Sequence, residues 1–113
     1  MSARESAIAA LHSRLVTSLA ARNPAPLVLR GETIPQRIPP AGLVVLRDGE
    51  AVEETPILSP LAWQVEHRAE IEVTVAGATP AARNALLDAL LVDVAAAISA
   101  NRTLGGAVEW AQT

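Results

Sequence analysis

The sequence contains no cysteine, phenylalanine, tyrosine or lysine, and only two tryptophans and one methionine. Without cysteine, the chain can form no disulfide bond, thiolate metal site or cysteine nucleophile. No apolar run approaches the roughly 18 residues of a membrane span. The first residues also lack the charged and apolar regions of a secretory signal peptide. We therefore expect a cytoplasmic protein with no membrane partner.

Charge and length exclude a second group of functions. The formal net charge is -3 and the isoelectric point is about 5.3. Nucleic-acid binding depends largely on phosphate neutralisation by basic side chains, so direct binding to DNA or RNA is not expected. A chain of 113 residues is the size of one domain with a thin core. We therefore treat residues 1–113 as a single domain.

Proline, glycine and hydrophobic periodicity divide the chain into helices and strands in the order α-β-β-β-α-β. Ser2 and Glu5 have the spacing of a capping box, and Thr79 followed by Pro80 is typical of a helix start. Asp48-Gly49 is the dipeptide of a type I′ hairpin turn. The predicted elements are helices over residues 2–22 and 80–100 and strands over residues 42–47, 50–55, 63–76 and 107–110. The apolar stretch at residues 26–30 is long enough for a further brief strand. The pattern predicts an α+β fold, in which an antiparallel or mixed sheet of about four strands, with a long central hairpin, carries both helices on one face.

The strand predicted over residues 63–76 is the most informative element. Apolar and polar residues alternate along it almost without error, which indicates one long, half-buried strand. At about 3.3 Å per residue it would span about 45 Å, whereas a compact domain of this length is about 35 Å across. The strand should therefore extend beyond the body of its own domain and contact a partner, because its apolar residues would otherwise lie in water.

The sequence gives no support for catalysis, a cofactor site or a metal site. His67 lies on the apolar side of the long strand, while Glu66 and Arg68 point to the other side and cannot orient its imidazole. A structural histidine is the favoured interpretation, with an interface role or catalysis as less favoured alternatives. Glutamates at alternate positions of a strand run parallel and do not converge on an ion. We predict that the protein is not an enzyme.

The two tryptophans are the largest apolar side chains available to the fold. Trp63 is expected either in the core, where the long strand begins, or as an anchor in an interface. Trp110 alternates with Val108 and is expected to face the covered side of the sheet.

Charged residues supply the interface candidates. An acidic strip on the long strand, near the arginines Arg30, Arg37 and Arg47, is compatible with head-to-tail contacts between subunits, the kind that closes into a ring. Arg37 also lies in the longest loop, among Pro35, Pro39 and Pro40, where the alternative is a solvated connection. The full set of predicted interface residues is Arg37, Arg47, Glu53, Glu54, Glu66, Arg68 and Glu70.

Four segments follow one another in the second half of the chain: LVVLRDG at 43–49, LSPL at 58–61, EHRAEIEV at 66–73 and NRTLGG at 101–106. Taken in this order, they resemble the tail terminator or tail completion proteins of long-tailed bacteriophages, prophages and gene transfer agents. The resemblance is one of pattern and order over most of the chain after residue 40, without a diagnostic motif. Relatives usually continue beyond the segment corresponding to residues 108–110, often with another strand. We therefore expect the last sheet edge to be missing or supplied by a neighbouring subunit.

The resemblance implies a compact α/β subunit of a hexameric ring on the head-proximal end of the tail tube. Such a ring stops tube polymerisation and joins the tail to the head, so the implied partners are further copies of the chain, the tail tube protein and head-tail connector proteins. The implied location is the virion tail, after assembly in the bacterial cytoplasm. The family has no catalytic residues. The alternative left open is a small non-catalytic α+β module that binds a protein or holds a regulatory metabolite.

Overall fold

A computed structural model describes residues 2–31, 37–58, 61–108 and 110–112, and within these ranges the side chains of all residues except 51–58 and 61–65. The helices are α1 (Ala3–Leu19) and α2 (Pro80–Ala100), and the strands are β1 (Leu27–Arg30), β2 (Leu43–Leu58) and β3 (Leu61–Thr74). A single 3-10 turn, Leu104–Gly106, follows α2. The α+β class and the order α-β-β-β-α are confirmed.

Both helices begin where the sequence predicted. The Ser2 hydroxyl accepts a hydrogen bond from the Glu5 amide at 3.0 Å, and the Thr79 hydroxyl accepts one from the Ala82 amide at 3.1 Å. Each bond satisfies an amide that has no partner within its helix. Pro80 lies in the first turn of α2, where its missing N–H costs nothing. Within the described ranges, no helix combines the length and the apolar character needed to cross a membrane.

The sheet is mixed and has the strand order β1-β2-β3. β1 runs parallel to β2, with Leu27 opposite Leu43 and Arg30 opposite Leu46. β2 and β3 form a long antiparallel hairpin, in register from Leu43 opposite Thr74 to Leu58 opposite Leu61. Among the described residues the sheet has three strands, where about four were expected.

The strand predicted over residues 107–110 is wrong for the residues that the structure describes there. Gly105 and Gly106 have φ values of 72° and 94°, a left-handed conformation that turns the chain after α2. The following backbone then pairs locally: the Val108 amide donates to the Thr103 carbonyl at 3.2 Å, and the Ala111 amide donates to the Arg102 carbonyl at 2.7 Å. Because these groups bond within the segment, they do not add a strand to the sheet.

The core lies between the two helices and one face of the sheet. Its buried cluster joins Leu15 and Leu19 of α1, Val44 of β2, and Val94 and Ala97 of α2. Full burial of a leucine or valine side chain stabilises the fold by about 1.5–3 kcal/mol. Both helices therefore cover the same face of the sheet, as predicted. The neighbours of Val44 on the opposite face, Leu43 and Val45, are also fully buried, so this end of β2 is enclosed on both sides.

The predicted hairpin turn at Asp48-Gly49 is wrong, and the predicted strand over residues 50–55 is the continuation of β2. Gly49 has a φ of 65°, but the pairing continues on both sides of it, from Arg47 opposite Glu70 to Glu50 opposite Arg68. Two residues of β2 thus stand opposite one residue of β3, which is a β-bulge. The left-handed conformation that favours glycine in a tight turn serves a bulge equally well, so the dipeptide did not distinguish the two.

Gly49→Ala tests the bulge, with Gly31→Ala as its matched control. Both glycines have φ near +60°, but a Cβ atom at Gly49 would lie 1.8 Å from the Arg68 carbonyl oxygen, whereas one at Gly31 meets nothing within 4 Å. Gly31→Ala should cost about 1–2 kcal/mol for the left-handed backbone alone. Gly49→Ala should cost at least about 2 kcal/mol more, because β2 and β3 must separate there. Urea unfolding of both variants measures the difference, and equal losses of stability would contradict the bulge.

Candidate interaction surface

A two-stranded arm projects from the body of the subunit. β1 ends at Arg30, opposite Leu46, and beyond that point β2 and β3 pair with each other in the described part of the chain. We call residues 47–58 and 61–70 the arm. The molecule measures 57 × 26 × 22 Å, with a radius of gyration of 15.9 Å, against about 13 Å for a compact domain of about 100 residues. The prediction that the long strand extends beyond its domain is confirmed.

The arm leaves two strand edges without a neighbouring strand among the described residues. A two-stranded hairpin is marginally stable in water on its own. Unpaired edges also present rows of backbone amides and carbonyls to any chain that adds a further strand. The arm is therefore the candidate interaction surface of this protein.

Three charged side chains hold the base of the arm against the body. The Arg30 guanidinium donates two parallel hydrogen bonds to the Glu5 carboxylate, both at 2.7 Å, and two longer ones to Asp48, at 3.2 and 3.3 Å. Glu5 belongs to the first turn of α1, Arg30 ends β1, and Asp48 forms part of the bulge. We call these residues the basal cluster. Because it joins three elements, it fixes the direction in which the arm leaves the sheet.

The basal cluster perturbs the protonation of its members in a consistent direction. Hydrogen bonds from Arg30 hold the pKa of the Glu5 carboxyl below its ordinary value. The hydrogen bonds from Arg30 to Asp48 lower the pKa of Asp48 in the same way. The bonds to Glu5 and then to Asp48 raise the pKa of the Arg30 guanidinium. All three groups thus favour their charged forms at neutral pH.

Arg47 is also paired within the subunit. Its guanidinium donates to the two Glu72 carboxylate oxygens at 2.9 and 3.1 Å, diagonally across β2 and β3. This contact lowers the pKa of Glu72 and raises that of Arg47. Arg30 and Arg47 thus both bind carboxylates of their own chain, whereas Arg37, the third arginine of the predicted head-to-tail contact, is exposed. The contact itself stays a prediction.

His67 has a structural contact at the bulge. Its Nε2 atom donates to the Asp48 carbonyl oxygen across the hairpin, and its side chain is half-buried. A bulge leaves backbone groups outside the regular ladder. The imidazole satisfies one of them, which agrees with the favoured interpretation of a structural histidine.

The remaining interface candidates lie on the arm itself. Glu66, Arg68 and Glu70 are all exposed on β3. In the register they stand opposite Glu53, Glu50 and Arg47 respectively. Glu53 and Glu54 lie in β2, but their side chains are outside the described residues.

Of the two tryptophan side chains, the structure describes that of Trp110. The expectation that Trp110 faces the covered side of the sheet is wrong, because its side chain is 60% exposed. The Arg102 guanidinium lies 4.4 Å from its ring centroid, and its Nε1 donates to the Gln112 side chain at 3.1 Å. No strand forms there to carry Trp110 to the sheet. The side chain of Trp63 is outside the described residues.

The body offers an open groove between α1 and α2, with a volume of about 400 Å³. Arg22 and Asp93 pair across it at 2.5 Å, and the Arg14 Nε donates to the Ala97 carbonyl at 2.9 Å. These polar groups already have partners inside the subunit. In the described part of the chain, no three histidine, aspartate or glutamate side chains converge as metal ligands.

The basal cluster is the feature that sequence reasoning missed. The sequence predicts a capping box at Glu5 and a contact with another subunit at Arg30, and neither pattern predicts that the two residues pair. The available signal was the alternation in β1, which places Arg30 on the same side as Val28 and thus on the helix-covered face. An arginine at the end of a strand on that face needs a carboxylate nearby, and the first turn of α1 supplies one.

Arg30→Gln tests the basal cluster through pH. Glu5 and Asp48 have ordinary pKa values of 4.5 and 3.8 that are lowered in the folded state. Their contribution to stability is therefore complete above about pH 5 and is lost as the pH falls through the folded values. The stability difference between wild type and Arg30→Gln should shrink as the pH falls from 6 toward 3.

Arg83→Gln is the control, because its guanidinium donates to the Gly77 carbonyl at 3.0 Å and not to a carboxylate. Its effect on urea unfolding should be independent of pH over the same range. A constant Arg30→Gln difference between pH 6 and pH 3 would show that the cluster does not hold the arm.

Comparison with known proteins found no relative of this chain. No protein-family model, no curated protein and no solved structure matches the chain.

Proposed function

We propose that this protein is a tail assembly subunit of a long-tailed bacteriophage or a related prophage or gene transfer agent. In this proposal, several copies form a ring, with six as the expected number, that ends tail tube polymerisation and contributes to joining the tail to the head. The observation that carries the proposal is the arm. The sequence resemblance in residues 43–49, 58–61, 66–73 and 101–106 supplies the biological setting.

The arm supports an assembly role because it is costly for an isolated subunit. It removes part of the two longest strands from the body, and in the part of the chain that the structure describes no further strand covers its edges. Edges of this kind promote association unless a partner or a protective device covers them. A subunit that functions only after joining a larger structure gains from an element that becomes paired on assembly.

The body supports the same role. Its core is small but closed on both sides of β2, and the basal cluster links the arm to two further elements. A partner that binds the arm therefore also positions the body, because the arm is linked to the body by more than the two strands themselves. The proposed partners are copies of this chain, the tail tube protein and the head-tail connector proteins, and the proposed locations are the virion tail and, during assembly, the host cytoplasm.

Tail length in the phage or prophage that carries the gene is the direct test. Deletion of the gene should yield tails longer than normal and heads without tails, as measured by negative-stain electron microscopy of lysates. Expression of the wild-type chain from a plasmid should restore normal length. Tails of normal length attached to heads in the deletion strain would contradict the proposal.

Charge reversal on the arm is a sharper test. Glu53→Arg combined with Glu54→Arg should reduce ring formation and tail completion while the subunit stays folded, because both positions lie in the half of β2 beyond the bulge. Native mass spectrometry over a concentration series measures ring formation, and complementation of the deletion strain measures tail completion.

Asp88→Arg is the control, since Asp88 is exposed on α2, away from the arm. It should complement normally. Normal oligomers and full complementation by the Glu53/Glu54 variant would contradict an assembly role for these residues.

A further inference from the structure

We propose that the outer edge of β3 binds an extended strand of a partner protein whose side chains alternate basic, acidic, basic on the face that meets Glu66, Arg68 and Glu70. This inference goes beyond the proposed function, because it concerns the chemistry of the partner strand and holds for any assembly in which the arm takes part. The side chains that it assigns to the partner strand, Glu66, Arg68 and Glu70, all lie among the described residues.

The backbone pattern shows which groups the outer edge presents. The Leu27 amide donates to the Gly42 carbonyl at 3.2 Å, and the Gly31 amide donates to the Leu46 carbonyl at 2.8 Å. Only alternate residues of a strand direct their peptide groups to a given neighbour. Even-numbered residues of this part of β2 therefore face β1, and odd-numbered residues face β3.

The register then assigns the peptide groups of β3. Leu43, Val45 and Arg47 stand opposite Thr74, Glu72 and Glu70, so these three β3 residues are the ones that bond to β2. The residues between them direct their amides and carbonyls to the outer edge. They are Ala69, Ile71 and Val73.

No strand of the described chain occupies this edge, because β3 is the last strand of the sheet. Three amides and three carbonyls spaced two residues apart match the hydrogen-bonding repeat of a further strand. Addition of such a strand is a common mode of peptide recognition, in which backbone bonds give affinity and side chains give specificity. The edge thus provides the site.

The net charge of the arm indicates what kind of strand would pair with the outer edge of β3. Residues 50–70 contain five glutamates and one arginine, a net charge of -4, while the rest of the chain has a net charge of +1. Pairing the arms of two copies would bring two strongly acidic elements together, which opposes self-association through this edge. A basic partner strand is favoured instead.

The order of the charged residues along β3 specifies the partner strand more closely than the net charge of the arm does. Residues directly opposite on adjacent strands share a face, and opposite charges at such positions stabilise the pair. Along the exposed face of β3 the charges at Glu66, Arg68 and Glu70 are negative, positive and negative. Glu72 is already paired with Arg47. The complementary strand therefore reads basic, acidic, basic at alternate positions, an order that is the same in parallel and antiparallel orientation.

The test is a titration of the ¹⁵N-labelled full chain with a capped peptide, Thr-Ile-Thr-Lys-Val-Glu-Val-Lys-Thr-Ile-Thr. The control peptide exchanges Lys and Glu and has the same backbone propensity. Amide shifts and slowed solvent exchange should appear at Ala69, Ile71 and Val73. The first peptide should bind at least about tenfold more tightly than the control at low salt, with the ratio falling as salt screens the charges.

A variant with exchanged charges makes the test specific. Glu66→Arg, Arg68→Glu and Glu70→Arg together should reverse the preference between the two peptides. If this triple variant fails to fold, Glu66→Gln with Glu70→Gln should weaken binding of the first peptide at least about fivefold, while Asp88→Arg leaves it unchanged.

Three results would overturn the proposal. They are equal affinity for the two peptides, shifts confined to other residues, and no shift at millimolar peptide, which would leave the charges as a guard against aggregation. Concentration-dependent shifts of the same three amides without peptide would show that a second copy, and not a basic strand, occupies the edge.

Discussion

The structure depends on one constraint: β2 has to pass through Asp48-Gly49 without turning back. At Gly49 a Cβ atom would lie 1.8 Å from the Arg68 carbonyl oxygen, so only glycine lets the two strands stay paired there. A chain that turned at this point would place all of its strands over the helices and would have no arm. Because β2 instead continues to Leu58, the molecule is 57 Å long and 26 Å wide. Among the described residues, both edges of the arm lack a neighbouring strand.

The basal cluster gives the bulge a fixed position relative to the body. Arg30 is held by Glu5 on one side and Asp48 on the other, while His67 bonds to the Asp48 carbonyl from the opposite strand. Individual exposed ion pairs contribute little to stability, but a network that joins a helix, an edge strand and a bulge restricts their relative orientation. Charge and backbone contacts therefore determine the orientation of the arm. The apolar packing of α1 and α2 on Val44 stabilises the body.

Local signals in the sequence predicted the elements that depend on local physics. The caps at Ser2 and Thr79, the alternation along β3 and the helical periodicities of α1 and α2 each depend on neighbours within a few residues, and each is found. The errors concern choices that distant contacts decide. Asp48-Gly49 fits a turn or a bulge, and pairing with residues 68–70 selects the bulge. Residues 107–110 have the composition of a strand, but the Val108 amide, and the Ala111 amide just beyond them, donate to the nearby carbonyls of Thr103 and Arg102. The pairings of Arg30 and Arg47 likewise require carboxylates at least 18 residues away in the chain.

The proposed function requires an arm that is ordered in the free chain but gains its full stability only from a partner. Hydrogen exchange measured residue by residue, on the free chain and on the chain bound to isolated tails, tests it most directly. In the free chain, amides of residues 66–70 should exchange much faster than those of residues 43–46, and binding to tails should slow them to a comparable rate. Equal protection of both segments in the free chain, or no change on binding to tails, would contradict the account.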